Sequence, residues 1–333
     1  MKFLLVTGGA GYIGSHAVLE LLSQNRPVVI LDNLERGYAD AVTELQKIGP
    51  VEFVRGDLRS ETDLEKLFSE YDIETVLHFA ALCTPDESVS HPAMYYENNV
   101  AGTANLLEAM KRHGVDKIIF SSTCTVYGET KNLPVDETHP LGPINPYGHS
   151  KLLAEEVIAY YGRLAGIRSV IFRYFNVCGA DAEGRIGDSK RPSQLLMQNA
   201  VRGALGLEPF AYTCPPAKTP DGTPIRDYID VRDLVAAHAA AVGYLEKGGK
   251  NVILNLGSGE GRSVRQIVHA VEHSLGVTIP EKAGNVRQGE HDEIYAEPAK
   301  AAEILGWKAV RSLEDSISGL VAWYRKHPQG YEK

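Results

Sequence analysis

The chain of 333 residues lacks several features that would place it in a class at once. It has no stretch of roughly 18 apolar residues, so no membrane span is expected. It has no excess of positive charge: 34 Lys and Arg stand against 43 Asp and Glu, a formal net charge of -9. A nucleic-acid-binding surface leaves a basic footprint, and this balance argues against one. It leaves room for an anionic small ligand, because a few local arginines suffice for that. Cysteine is scarce. Cys83, Cys124, Cys178 and Cys214 are widely spaced, with no Cys-x-x-Cys pair. Free thiols in a cytoplasmic protein are therefore expected, rather than disulfides or zinc. The apolar run that opens the chain is too short for a secretory leader, and glycines follow it directly. There is no internal repeat and no low-complexity tract.

What is present is an ordinary globular mixture, 44% apolar and 23% charged, able to bury a full core. The length favours two packed lobes or one large domain with an insert. Short, nearly continuous apolar runs at 3–6, 28–31, 51–54, 75–79, 117–120 and 170–172 read as strands buried on both faces. Helical patterns near 12–24, 61–70, 98–113 and 147–165 alternate with them. That alternation predicts an α/β fold with a doubly wound parallel sheet of the Rossmann type. Beyond residue 177 glycine and proline become frequent, with helices expected at 193–204, 231–246, 263–275 and 298–304 and a strand at 252–256. The expected division is a dinucleotide-binding domain over 1–177, with segments returning near 226–258, and a smaller α/β lobe for substrate over 178–333.

Three glycines, Gly8, Gly11 and Gly14, follow the first strand and open the first helix, with Tyr12 and Ile13 between the last two. A tight turn, a close backbone approach and the unpaired N–H groups of a helix N-terminus together suit a pyrophosphate. Asp32 ends the second strand, 18 residues past Gly14, where a carboxylate accepts from ribose hydroxyls and repels a 2′-phosphate. That favours NAD over NADP, with Arg36 nearby as a counter-indication. Asp57 and Leu58 end the third strand, where a polar group meets adenine; an ordinary strand-end aspartate in a turn fits the position nearly as well.

Tyr147 and Lys151 stand at i and i+4 after Asn145-Pro146, a helix start. On one helix face, phenol and ammonium approach one ligand together. A phenol is a poor base at neutral pH, and a nearby ammonium with a cationic nicotinamide ring would favour phenolate. Tyr127 and Lys131 repeat the spacing, but Gly128 and Pro134 argue against a helix there, so the spacing alone is cheap. A surface helix pair is the plain alternative for Tyr147 and Lys151. Thr123, a small hydroxyl residue at the end of a parallel strand, lies where such sheets bind ligands and is placed to bridge a substrate hydroxyl and Tyr147. Glycine turn, strand-end hydroxyl and Tyr/Lys pair occur in the order a catalytic site requires. His78 reads as a core histidine and His149 as facing away from the pair; no metal is expected.

In these segments the chain resembles the extended short-chain dehydrogenase/reductases over nearly its whole length. Asp32-Asn33-Leu34, His78-Phe79-Ala80-Ala81, Asn98-Asn99-Val100, Arg173-Tyr174-Phe175-Asn176, Arg226-Asp227-Tyr228 and His327-Pro328-Gln329-Gly330-Tyr331 are similar to the UDP-glucose 4-epimerases among them. The resemblance implies an NAD-dependent enzyme that oxidises C4 of a UDP-sugar to a ketone and returns the hydride to the other face. It implies cofactor contacts at Asn33, Phe79, Ala80, Ala81, Asn98, Ser121, Ser122 and Tyr174, besides the glycine turn, Asp32, Asp57, Leu58, Tyr147 and Lys151. It implies substrate contacts at Asn176, Gln194, Leu195, Tyr212, Arg226, Arg287 and Glu290, besides Thr123 and Tyr147. Arg226 and Arg287 suit a diphosphate; ordinary surface ion pairs are the alternative. A homodimer through the helices at 98–113 and 147–165 is expected on the same basis.

The chain departs from that pattern at Thr123, where many members have serine, and at Cys83, where lysine or serine is seen. Val177-Cys178 and Ile294 also differ. A 4,6-dehydratase or decarboxylase would need acidic groups where Cys124-Thr125 stand. A nucleotide-sugar dehydrogenase or reductase shares the oxidation step and stays open, as do N-acetylated, pentose and uronate substrates. A non-catalytic NAD-binding sensor would be expected to lack the tyrosine or the lysine.

Overall fold

The computed structural model describes residues 1–191, 193–214, 217–283 and 292–331, without the side chains of 213, 214 and 283. The chain opens with β1 (Phe3–Thr7), α1 (Tyr12–Ser23), β2 (Val28–Asp32), α2 (Ala39–Gln46), β3 (Val51–Arg55), α3 (Glu61–Glu70) and β4 (Ile73–His78). Two short helices, α4 (Pro85–Ser90) and α5 (Pro92–Tyr95), lead through a π-helical turn at Tyr96–Ala101 into α6 (Gly102–Arg112). Next come β5 (Lys117–Thr123), a 3-10 turn at Cys124–Tyr127, α7 (Pro146–Ala165) and β6 (Arg168–Tyr174). The chain continues with β7 (Asn176–Cys178), α8 (Leu196–Ala204), β8 (Tyr212–Cys214), β9 (Ile225–Asp230), α9 (Val231–Glu246), β10 (Val252–Leu256) and β11 (Gly261–Ser263). It ends with α10 (Val264–Leu275), β12 (Glu281–Ala283), β13 (Glu293–Ile294), α11 (Ala299–Leu305) and α12 (Leu313–Lys326). Among the described residues no helix is long and apolar enough to cross a membrane.

The chain divides into two compact units. The first comprises Met1–Glu129, Glu137–Tyr174 and Val235–Leu254; the second comprises Thr130–Asp136, Phe175–Leu234 and Asn255–Lys333.

The first unit holds a seven-stranded sheet in the order β10-β6-β5-β4-β1-β2-β3. The pairings from β3 across to β6 are parallel. Parallel strands joined by helices bury both faces, which is why β2, Val-Val-Ile-Leu-Asp, is buried at every residue. Leu5, Val29 and Leu31 of the strands form one core with Leu67 and Phe68 of α3, Leu106, Leu107 and Met110 of α6 and Ile158 of α7. Each such side chain contributes about 1.5–3 kcal/mol by leaving water. The strand order reverses direction between β1 and β4, and ligands of open α/β sheets bind at that switch, beyond the carboxyl ends of the strands. Thr7, Asp32, His78, Thr123 and Tyr174 end their strands on that edge.

In the second unit β9 is central, pairing antiparallel with β11 and parallel with β13 and β7. A separate parallel pair joins β12 to β8. Asp227 of β9 is fully buried. Its carboxylate accepts from Ser258 N and Oγ, both at 2.7 Å, from Gly259 N at 3.0 Å and from Ala296 N at 3.1 Å. One side chain thus ties two loops to the strand that carries Arg226.

The structure differs from expectation in several places. The helix expected over 98–113 is interrupted, because the π turn displaces the register before α6. Helix α12, closed by a Ser312/Asp315 capping box, was not foreseen. Nor were α2 and the short strands around β9.

Candidate active site

The glycine turn is built by steric necessity. Gly8 has φ +72°, and a Cβ there would lie 2.7 Å from Ala80 N. A Cβ on Gly14 would lie 2.1 Å from Gly8 O, so the first turn of α1 packs directly on the loop. Gly11 caps α1 without a side-chain bond, and no acidic residue occupies the first turn. Its leading N–H groups, with Tyr12 and Ile13, suit an anion.

Asp32 is buried and accepts from Ala10 N at 3.1 Å and Leu34 N at 2.8 Å. Burial pushes its carboxyl up, against those two bonds. Asn33 donates to Asp57 at 2.8 Å, so two expected cofactor residues also touch each other. Arg59 donates to both oxygens of Asp57, at 2.9 and 2.6 Å, and holds that carboxyl well below the usual range. Leu58 is buried, and its carbonyl accepts from Asn105 at 3.1 Å. Thr7 Oγ1 lies 2.7 Å from His78 Nδ1, and Ala80 N donates to that hydroxyl at 3.3 Å, which fixes the loop of Phe79, Ala80 and Ala81 to β1. Burial drives His78 down to about 3, a neutral core histidine as its apolar setting predicts.

Thr123 ends β5 and Tyr147 stands in the first turn of α7, where Pro146 occupies the first helical positions and Asn145 caps Gly148 N at 2.9 Å. The Thr123 hydroxyl lies close enough to the Tyr147 side chain to act on its phenol, while its own hydrogen bonds run to Thr125, whose N–H donates to it at 3.2 Å and whose hydroxyl it meets. Lys151 is 3% exposed, with its Nζ 4.4 Å from the Phe120 ring centroid. The structure therefore brings together Thr123, Tyr147 and Lys151. Burial pushes the Tyr147 phenol up, and the nearby Thr123 hydroxyl opposes this. Burial also brings Lys151 down to about 8, with Cys83 and Glu155 acting the other way. Burial is the largest influence on both groups. His149 faces away as expected, on Tyr96 at 3.0 Å.

Tyr174 has its hydroxyl 2.6 Å from His238 Nε2. Phe79 packs on His238 with ring centroids 4.8 Å apart. Ser122 turns elsewhere, donating to the buried Glu155. Asn98 donates to Asn99 at 3.0 Å. Asn99 was not foreseen as a site residue, although it adjoins Asn98. Its amide donates to Leu82 O and Ser150 Oγ, both at 3.0 Å, and its oxygen accepts from Leu82 N at 2.8 Å, linking the β4 loop to α7. Glu155 was missed too, though it lies eight residues beyond Tyr147 on the same face.

Of the expected substrate residues, Asn176 on β7 pairs with Tyr228 of β9. Gln194 is exposed, and Leu195 caps α8 with its N–H on Ser193 Oγ at 3.3 Å. Tyr212 is buried and donates to Glu281 at 2.8 Å. Arg226 lies on β9 between Arg262 and Ile294 and donates to Ile225 O at 2.8 Å. All five belong to the second unit. Arg287 and Glu290 lie outside the described residues. So does the Cys214 side chain; Cys83, Cys124 and Cys178 are free thiols. Among the described residues no cluster of three His, Cys, Asp or Glu is arranged to hold a metal ion.

Residues 4–257 match the NAD dependent epimerase/dehydratase family. The chain belongs to that family. Within it, the chain is similar to a UDP-glucose 4-epimerase of Halalkalibacterium halodurans, 42% identical over 98% of this chain and 97% of the relative. It is also similar to a putative UDP-arabinose 4-epimerase of Arabidopsis thaliana, 43% identical over 98% of this chain and 77% of the relative. Among solved structures, the UDP-glucose 4-epimerase of Bifidobacterium longum in complex with NAD+ and UDP superposes with a TM-score of 0.93 at 38% identity, covering 99% of this chain and 100% of that one.

As a member of the epimerase/dehydratase family the chain is an NAD-dependent enzyme, and the glycine turn, Asp32 and the Thr7–Ala80 contact fit that cofactor. Gly8 and Gly14 let the turn pack against the Ala80 backbone and against itself, and no side-chain carboxylate occupies the first turn of α1. Cys83 is exposed in the loop after β4, near enough to Tyr147 and Lys151 to act on both charges.

Proposed function

We propose that the chain inverts C4 of a UDP-hexose, interconverting UDP-glucose and UDP-galactose. The observation that carries this is the Thr123 hydroxyl beside Tyr147, with the buried Lys151 one helical turn further along α7, at the carboxyl edge of the sheet. NAD, when bound, would supply a reversible hydride acceptor for C4, so the reaction would have no net redox change. Tyr147 takes the proton of the sugar O4 and later returns it. A positively charged ring beside the phenol opposes the burial that keeps it protonated. Thr123 orients the O4 hydrogen toward Tyr147, and the Lys151 ammonium steadies the developing phenolate. In this reading the first unit carries the dinucleotide through Gly11, Tyr12, Ile13, Asp32, Asn33, Asp57, Leu58, Phe79, Ala80, Ala81, Asn98, Ser121 and Tyr174. The second unit carries the nucleotide sugar through Asn176, Gln194, Leu195, Tyr212, Arg226, Arg287 and Glu290. A homodimer in the cytoplasm completes the proposal.

The likeness to UDP-arabinose 4-epimerases, at an identity matching that to the UDP-glucose enzymes, supports a second substrate reading: a pentose. The test is purified protein without added cofactor, offered UDP-galactose, UDP-arabinose, UDP-N-acetylgalactosamine and UDP-glucuronate in turn. Conversion of UDP-galactose to its C4 isomer is the expected result. Preference for UDP-arabinose selects the pentose. A need for stoichiometric NAD, with a keto or acid product, overturns epimerisation in favour of a dehydrogenase. Tyr147→Phe should lose about a hundredfold or more of turnover.

A further inference from the structure

Glu155 is a buried carboxylate that the reaction itself does not use. Tyr147, Lys151 and Glu155 follow one another at four-residue intervals, so α7 directs all three at the end of β5. Glu155 is 4% exposed and Arg173 2%. Arg173 Nε donates to one carboxylate oxygen at 3.1 Å and Nη2 to the other at 2.6 Å, a two-pronged pair. Ser122 donates to the first of those oxygens, and its residue stands in register with Arg173 across β5 and β6. The Arg173 guanidinium also lies 5.0 Å over the ring of Tyr127, the last residue of the 3-10 turn that follows β5. Thr123 is thus braced on both sides, by Ser122 before it and by the turn ending in Tyr127 after it.

A buried ion pair is a poor way to gain stability. Its desolvation cost is large, and well-packed apolar residues of similar volume often serve as well or better. A directional tie is what an apolar pair cannot supply. We propose that Glu155 and Arg173 form a positioning pair that locks the end of β5 to α7, holding the Thr123 hydroxyl within reach of Tyr147. This rests on the reading of Tyr147, Thr123 and Lys151 as the reacting group. The pair has a second effect. Lys151 faces Glu155 and Cys83, which favour its charge, as well as Tyr147 and the neutral His78. Loss of the Glu155 charge lets the ammonium give up its proton at lower pH.

The test compares the double variant Glu155→Leu/Arg173→Met with Ser122→Ala and the parent, each loaded with NAD. The apolar pair should keep the fold and the NAD content. Its kcat should fall about tenfold or more, with KM changed less than about threefold. The alkaline limb of its pH profile should move toward neutrality, a change that loosened packing alone does not produce. Ser122→Ala leaves the ion pair whole and should lose about threefold or more of kcat. A folded, NAD-loaded double variant with parental kcat and pH profile overturns the proposal. If the double variant fails to fold, Ser122→Ala decides, and unchanged kcat overturns it. Tyr147→Phe run alongside separates the two levels: if that variant stays active, the reading of the reacting group fails instead.

Discussion

At the scale of single residues, the site depends on hydroxyl and backbone positions more than on charge. Thr123 has the oxygen that a serine would supply and adds a methyl group, so its hydroxyl alone is expected to matter. Thr123→Val keeps the shape and removes the hydroxyl beside Tyr147. Steady-state assays should show kcat about a hundredfold lower, while Thr123→Ser stays within about threefold of the parent. Equal activity of the valine and serine forms would remove Thr123 from the reaction. Gly14 depends on backbone contact instead. An alanine Cβ 2.1 Å from Gly8 O forces the α1 turn off the loop, since neither partner is a flexible side chain. Gly14→Ala should be isolated with little NAD, measured by absorbance of the denatured supernatant, and should be less stable by about 1–3 kcal/mol in a urea titration.

At the scale of elements, α7 is where local chemistry and function meet. Asn145 accepts from Gly148 N and begins the helix only two residues before Tyr147. Asn145→Ala should cost about 1 kcal/mol of stability. Fraying of the first turn would move the phenol itself, so kcat should fall more than the loss of stability explains; a parallel melt and assay compare the two. This helix was legible in the sequence because its start signal, Asn145-Pro146, and its stop at Gly166, φ +72°, are local. The first-unit strands were legible for a related reason: burial on both faces leaves unbroken runs such as Val28–Asp32. Strand β9 was not, because Ile225–Asp230 carries Arg226, Asp227 and Asp230. Its fully buried Asp227 is satisfied by loops more than 30 residues away, which no local pattern reveals. Helix α12 did carry a local signal, serine followed three residues later by aspartate, that went unread. The π turn had none, since its register depends on the Asn99 contacts with Leu82 and Ser150.

At the scale of the whole molecule, buried titratable groups set the pH range of the fold. His78 is held neutral, with a folded value of about 3 against an ordinary value of 6.5. Its contribution is complete above 6.5, where both states are neutral. As pH falls from there toward 3, the unfolded chain takes up a proton that the folded chain refuses, and stability is lost at up to about 1.4 kcal/mol per pH unit. Asp57 and Asp116 are depressed, so their loss begins only near the ordinary carboxylate range, about pH 4, and ends below it. Asp32, Asp188 and Asp227 are raised by burial and act in the opposite sense, since the folded state takes up their protons first. Between pH 6.5 and 5 the His78 contribution should therefore be visible as a fall in the urea midpoint. His78 Nε2 also lies 2.9 Å from the Thr103 hydroxyl, and His78→Gln keeps polar atoms for Thr7 and Thr103 but has nothing to titrate. Its midpoint should start lower at pH 7 and change less on the way to pH 5 than that of the parent. Parallel slopes for the two proteins would show that the acid sensitivity of the fold arises elsewhere, with the buried ring of His78 contributing only its packing and its two hydrogen bonds.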